Sequence, residues 1–343
     1  MKIEIAARLK PFSHTPGAAC ALPGSKQILE AYPALLKTAG RELKLALTGP
    51  VKNFTVEQDL EKNCVWIFGQ AAEGFYRLRV WAQDDGVRIS PEKAPAEGIA
   101  YEGNEKGVLR KKEILFLPWE TEIRIPNALE RLSLGSHRDQ NWDRAAAECD
   151  LKLLIPALFF LGQKIPAVLP QPLKGTARLL AWPEERKNLA NALERFFRAS
   201  FAKIGVPRLA DDQHQGIAPE ESVQGDPFFL IQEGAKQLRS LFFRQNDRRI
   251  GFLPHLPPEF DAGRMLGVQA LGIGSIDFEW TKGKMRRATL RGTTPGEVVL
   301  DLPKGIDSIR VRSQINGKGK RLQSGEPLLI EAGKIYFLDH FQK

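Results

Sequence analysis

Residues 250–291 read IGFLPHLPPEFDAGRMLGVQALGIGSIDFEWTKGKMRRATLR, and this stretch decides the fold. The apolar pair Phe252-Leu253 is stopped by Pro254, and Leu256 by Pro257, which marks the end of a strand. A loop carrying Asp261-Ala262-Gly263 follows, then a stretch punctuated by Gly267, Gly272 and Gly274. Ile276-Asp277-Phe278-Glu279-Trp280 alternates apolar and charged residues, and a second strand runs from Met285 to Leu290. Between them Lys282-Gly283 has the composition of a tight turn, so the pattern predicts a β-hairpin.

Outward from this stretch, the chain divides by hydrophobic period. Beyond it, turn signals at Thr294-Pro295-Gly296, Asn316-Gly317 and Ala332-Gly333 keep residues 250–343 in short strands. Residues 1–125 also alternate at period two, in Ile3/Ile5/Ala7/Leu9, Leu43/Leu45/Leu47, Val65/Ile67 and Tyr76/Leu78/Val80. Turns at Thr48-Gly49-Pro50, Ala72-Glu73-Gly74, Asp84-Asp85-Gly86 and Glu102-Gly103-Asn104 separate them, as in an antiparallel sandwich. One short helix is expected over 27–37, where Ile28, Ala31, Leu35 and Leu36 share a helical face.

The middle section has helical spacing. A helix capped by Asp143 is expected to reach Leu161, kinked or stopped by Pro156. A second is expected over 184–204, ending at Gly205 with Pro207 beyond. A third starts at Asp226, with Pro227 at the first helical position, and runs to about Arg244. The predicted class is therefore mixed β/α/β multidomain: an N-terminal antiparallel β-sandwich (1–125), a short helical section (126–249) and a C-terminal β-sandwich domain (250–343).

Composition narrows the function classes. The 343 residues are 43% hydrophobic, enough for several small cores. No apolar run reaches the roughly 18–20 residues of a membrane helix; Leu151 to Leu161 is broken by Lys152 and Pro156. The N-terminus alternates like a strand and has no apolar signal-peptide core, so a cytoplasmic location is expected. Cys20, Cys64 and Cys149 are far apart and without metal-ligand spacing, so reduced thiols are expected. The net charge of +9 is spread along the chain, unaccompanied by any helix-turn-helix, zinc-finger or RNA-binding aromatic signature. It reads as a solvated basic face, with polyanion binding as the sharper alternative. No metal and no cofactor is expected, since the five histidines lack ligand spacing and Gly272-Ile273-Gly274 lies in a β-loop.

Residues 250–291, including Trp280, Gly283 and Lys284, resemble the end of the catalytic region of glycoside hydrolase family 95. These α-L-fucosidases and α-L-galactosidases leave their last barrel helix through an "LLPALP.EW" strand, pass a "G…GLRARGGF" loop and enter a "VDIEWKDGKL" hairpin. The resemblance implies an N-terminal β-sandwich, an (α/α)6 barrel and a C-terminal β-domain. The helical section here is too short for twelve helices, so it implies a reduced barrel. It also implies metal-free inverting hydrolysis of an α-linked terminal sugar, which needs two carboxyl groups roughly 6.5–9.5 Å apart.

The family's "D.NFG" segment, whose aspartate helps to activate the water, corresponds to Gln224-Gly225-Asp226-Pro227-Phe228-Phe229. Asp226 is therefore the candidate on the water-activating side, beside its plain reading as a helix cap. Glu233, two helical turns on, and Glu148, near the start of the first helix, are candidates for the acid. Glu148 and Asp150 read equally well as first-turn acids that complement the helix dipole. Asn141 is the candidate for the family's asparagine pair, and Trp142 and Trp119 are candidates for sugar stacking. His137 falls in the polar segment Ser133-Leu134-Gly135-Ser136-His137-Arg138, which either lines a cleft or links two domains. Three functions stay open: a glycoside hydrolase, a non-catalytic carbohydrate-binding or scaffold protein on the same frame, and a polyanion binder.

Overall fold

The computed structural model describes residues 2–38, 40–119, 121–124, 128–135, 140–172, 175–183, 186–201, 204–206 and 226–342. Among these, four sheets and four α-helices follow one another in the order β, α, β.

Two antiparallel six-stranded sheets come from the first third of the chain. One runs Phe12–Ser13, Lys52–Asp59, Cys64–Ala71, Gly74–Gln83, Gly86–Lys93, Leu115–Pro118. The other runs Lys106–Leu109, Ile99–Glu102, Arg41–Leu45, Leu35–Thr38, Ile28–Tyr32, Ala18–Ala21. Alternate residues of both point into one core, in which Val56, Ile67, Leu78 and Ile89 join Cys20, Leu29, Leu36 and Leu43. The helix expected over 27–37 is instead a hairpin, with Ala31 opposite Leu36 and Leu29 opposite Thr38. Leu29, Ala31, Leu36 and Thr38 are buried at period two, a pattern that four apolar residues also fit at helical spacing. The core across from them decides between the two readings.

The helices are α1 (Trp142–Glu148), α2 (Leu151–Gly162), α3 (Arg186–Phe201) and α4 (Pro227–Phe242). The single helix expected from Asp143 to Leu161 is thus two. Its cap is Asn141, whose side chain accepts from the Arg144 N–H, and the break falls at Cys149 in a left-handed conformation. Asp150 then caps α2 through the Lys152 N–H, while Pro156 sits inside α2, buried, without ending it. Asp226 caps α4 as expected, accepting from the Phe228 N–H at 2.9 Å. Helices α2 and α4 approach closely where Gly162 faces Ile231 and Ala235; a Cβ on Gly162 would lie 2.5 Å from that of Ala235.

The hairpin predicted at 276–290 pairs Gly274–Thr281 with Lys284–Gly292. Its turn places Lys282 at φ 53° and Gly283 at φ 66°, the positive pair that a two-residue turn of this hand demands. It forms the middle of a seven-stranded sheet ordered Arg131–Leu134, Gly263–Ala270, Gly274–Thr281, Lys284–Gly292, Ile335–Gln342, Ser308–Arg312, Lys320–Gln323. A four-stranded sheet runs Phe243–Asn246, Arg249–Phe252, Gly296–Asp301, Pro327–Ile330. Strand Arg131–Leu134 precedes every helix yet forms the edge of the seven-stranded sheet, so the helices interrupt a β-unit. One apolar core unites them: Trp280, 1% exposed, stacks on Phe242 of α4 at 5.3 Å and donates its indole N–H to the Phe260 carbonyl.

Candidate functional site

A cleft of about 200 Å³ opens where the N-terminal segment, strand Arg131–Leu134 and the starts of α1 and α2 meet. Ile5, Ala7 and Leu9 form one wall, and Leu132 and Leu134 the floor. The polar lining is Arg131, Ser133, Gln140, Asn141, Arg144, Asp150 and Lys152. Two of these are placed by local chemistry. Asn141 and Asp150 stand at the two helix starts because their oxygens satisfy first-turn N–H groups, and this sets both at the mouth.

Arg131 carries the electrostatics. Its guanidinium meets the Glu61 carboxylate at 2.8 Å, donates to the Ala7 carbonyl at 2.9 Å and lies over the Phe160 ring at 4.9 Å. Glu61 also accepts from the Leu9 N–H, so the pair ties the N-terminal segment to the strand. Arg131 Nε is buried and has no hydrogen-bond partner among the described residues. Close by, Lys164 is 2% exposed, donates to Asn63 and lies over Phe160; burial pushes its pKa down to about 8.

The sequence candidates fall in different places. Asn141 lines the cleft. Glu148 stands just outside it, tied to Arg144 at 2.8 Å. Trp142 is 2% exposed in the core, so its ring offers no face to a sugar. Trp119 lies elsewhere, half-buried against the N-terminal core with the Arg41 guanidinium 5.3 Å above its ring. His137 is outside the described residues, but Ser133 and Leu134 of its segment line the cleft. Asp226 and Glu233 belong to the far end of the helix pair. The Asp226 N–H donates to Gln171, Gln232 donates to the Ile165 carbonyl, and Glu233 pairs with Lys236.

The 12 residues of α2, about 18 Å of helix, separate the end beside Glu148 from the end to which the start of α4 is tied. For Glu148 with Asp226 or Glu233 that exceeds the spacing of a carboxylate pair working on one glycosidic bond. Asp226 and Glu233 themselves share the start of α4, Glu233 being held by Lys236. The cleft holds one carboxylate, Asp150, already committed to capping. No group of three or more potential metal ligands occurs among the described residues.

Sequence reasoning missed Arg131 and Gln140. The only signal for Arg131 was a charged pair, Glu130-Arg131, opening an apolar strand; Gln140 had none. The three cysteines are free and buried, and burial pushes Cys20 up to about 12 and Cys64 and Cys149 up to about 11. Among the described residues no helix is long and apolar enough to cross a membrane.

Comparison with known families adds one match. Residues 245–337 fit the glycoside hydrolase family 95 C-terminal domain. The C-terminal region is family 95-like. The match takes in strands of both C-terminal sheets and leaves α1–α4 and the cleft outside it. No curated protein matches the chain. The matched region is thus similar to a domain found in glycoside hydrolases.

Proposed function

We propose that the protein binds a carbohydrate on a family 95-like frame without hydrolysing it. In this reading the N-terminal sheets are the β-sandwich, the helices a reduced (α/α) barrel and the C-terminal sheets the second sandwich. The division at 1–125, 126–249 and 250–343 belongs to this proposal, with strands Arg131–Leu134 and Phe243–Asn246 joining the C-terminal sheets. The observations that carry the reading are the separation of Glu148 from Asp226 by the length of α2 and the pairing of the remaining acid, Glu233, with Lys236. The ligand site is the cleft, whose amide, hydroxyl and guanidinium groups suit sugar hydroxyls. Its 200 Å³ is below the roughly 300–1,000 Å³ of drug-sized sites and suits a single small polar unit.

The second reading is metal-free inverting hydrolysis of an α-linked terminal sugar, with Asp226 activating water and Glu233 or Glu148 as acid. It is supported by the position of Asp226, one helix upstream of the matched region. Calorimetric titration with L-fucose, D-galactose and D-glucose, alongside hydrolysis of their α- and β-linked aryl glycosides, separates the two. Binding of one sugar, weakened several-fold in Gln140→Ala and Ser133→Ala, with no turnover, is the expected result. Turnover that disappears in Asp226→Asn would reject the binding-only reading and establish the hydrolase.

A further inference from the structure

A second pocket, of about 310 Å³, opens at one end of the N-terminal sheet pair, and none of Asp226, Glu233 and Glu148 lines it. Its inner surface is made of core-facing aliphatic residues, Leu36 and Leu43 from one sheet and Ile89 and Leu115 from the other. Leu36 lies opposite Leu43, and two residues along the same hairpin, hence on the same face, Thr38 lies opposite Arg41. Residues directly opposite one another share a face, so Thr38 and Arg41 both point toward the inter-sheet space.

Two features of this pair are unmatched within the described residues. Thr38 is 5% exposed and its hydroxyl has no hydrogen-bond partner. A buried hydroxyl left unpaired costs about 1–3 kcal/mol, which folded proteins rarely tolerate without reason. Arg41 has no carboxylate within 4.0 Å among the described residues, and its guanidinium is held over the Trp119 ring at 5.3 Å. Of the acids at the rim, Glu42 is already neutralised by Lys37 at 2.9 Å, and Glu105 is exposed to solvent on its loop.

We propose that this pocket binds a small amphipathic carboxylate, its hydrocarbon body against the leucines and its carboxylate between the Thr38 hydroxyl and the Arg41 guanidinium. A charge-assisted bond to Arg41 and a hydrogen bond from Thr38 satisfy both unmatched groups at once. An aliphatic floor suits a hydrocarbon chain, and the Trp119 face that would stack on a sugar ring is occupied by Arg41. The site is independent of the sugar cleft, and neither depends on the other.

The test is calorimetric titration of the full chain with octanoate, octan-1-ol and acetate. Octanoate is expected to bind at least tenfold more tightly than either of the others, because only it supplies both chain and charge. Arg41→Met should weaken octanoate at least tenfold. Thr38→Val should weaken it several-fold while raising the Tm of the ligand-free protein, a combination that a purely structural threonine would not produce. If Arg41→Met fails to fold, Thr38→Val decides. Absence of octanoate binding, equal binding of octanol, affinity unchanged in a folded variant, or displacement by L-fucose would each overturn the proposal.

Discussion

The hairpin region 250–291 and the helical section 140–242 lie side by side in one core, yet they encode their structure differently. In the hairpin, each step is specified within a few residues: Pro254 and Pro257 end a strand, and Lys282-Gly283 sets the turn. Its tryptophan then locks onto Phe242 and the Phe260 carbonyl. This is the region that fits the family domain. In the helical section the local signals specify helices but not what they do together. Asp226, Asn141 and Asp150 are each explained by capping alone, and only the packing of α2 on α4 at Gly162 sets how far Glu148 stands from Asp226. Local chemistry carries the family signature; long-range packing carries the function.

The largest effect expected from testing this contrast is at Trp280. Trp280→Ala should cost about 3–5 kcal/mol, the range for large buried aromatics, and should loosen α4 as well as the hairpin because Phe242 loses its stacking partner. Urea unfolding measures the first, and hydrogen exchange of α4 amides the second. Exchange in α4 unchanged by the substitution would show that the two regions are energetically separate.

A smaller effect, visible as a pH slope, belongs to Lys164. Burial lowers its folded pKa to about 8, below the ordinary lysine range. Between the folded and unfolded values the unfolded chain binds more protons, so stability rises with pH across that window. Tm measured from pH 7.5 to 10 should therefore climb relative to Lys164→Met, in which this contribution is absent. Parallel Tm profiles for the two proteins would remove the buried-charge account of this junction.

The smallest effect sharpens the reading of Asp226. As a cap, Asp226→Ala should cost about 1 kcal/mol and Asp226→Asn only a few tenths, because asparagine caps as well as aspartate. Chemical denaturation of the two variants provides the comparison. A loss in Asp226→Asn as large as in Asp226→Ala would mean that the charge itself matters, and would return weight to a catalytic role.

These contrasts also show how much of the protein can be read in one dimension. The β/α/β order, the turns at Ala72-Glu73-Gly74 and Asp84-Asp85-Gly86, and the start of α4 follow from short-range rules of φ preference and capping. The segment 27–37 does not, because its apolar spacing fits a helical face and a strand face equally. Likewise, Trp142 has the residue type of a sugar platform but is buried in the core. The cleft was legible only in fragments, Asn141, Asp150 and the Ser133 segment, while Arg131 is held there by Glu61 and Ala7, residues far off in the chain.

By itself the sequence determined the element order, the hairpin that resembles family 95 and the helix caps, since each depends on neighbours within a turn or two. Tertiary structure alone decided that Arg131–Leu134 closes the edge of a sheet formed after the helices, and that Asp226 stands across α2 from Glu148. It also left the Thr38 hydroxyl without a hydrogen-bond partner among the described residues, at the mouth of the N-terminal sheets. These are relations between surfaces brought together by burial of a shared apolar core, and no short stretch of chain contains both partners.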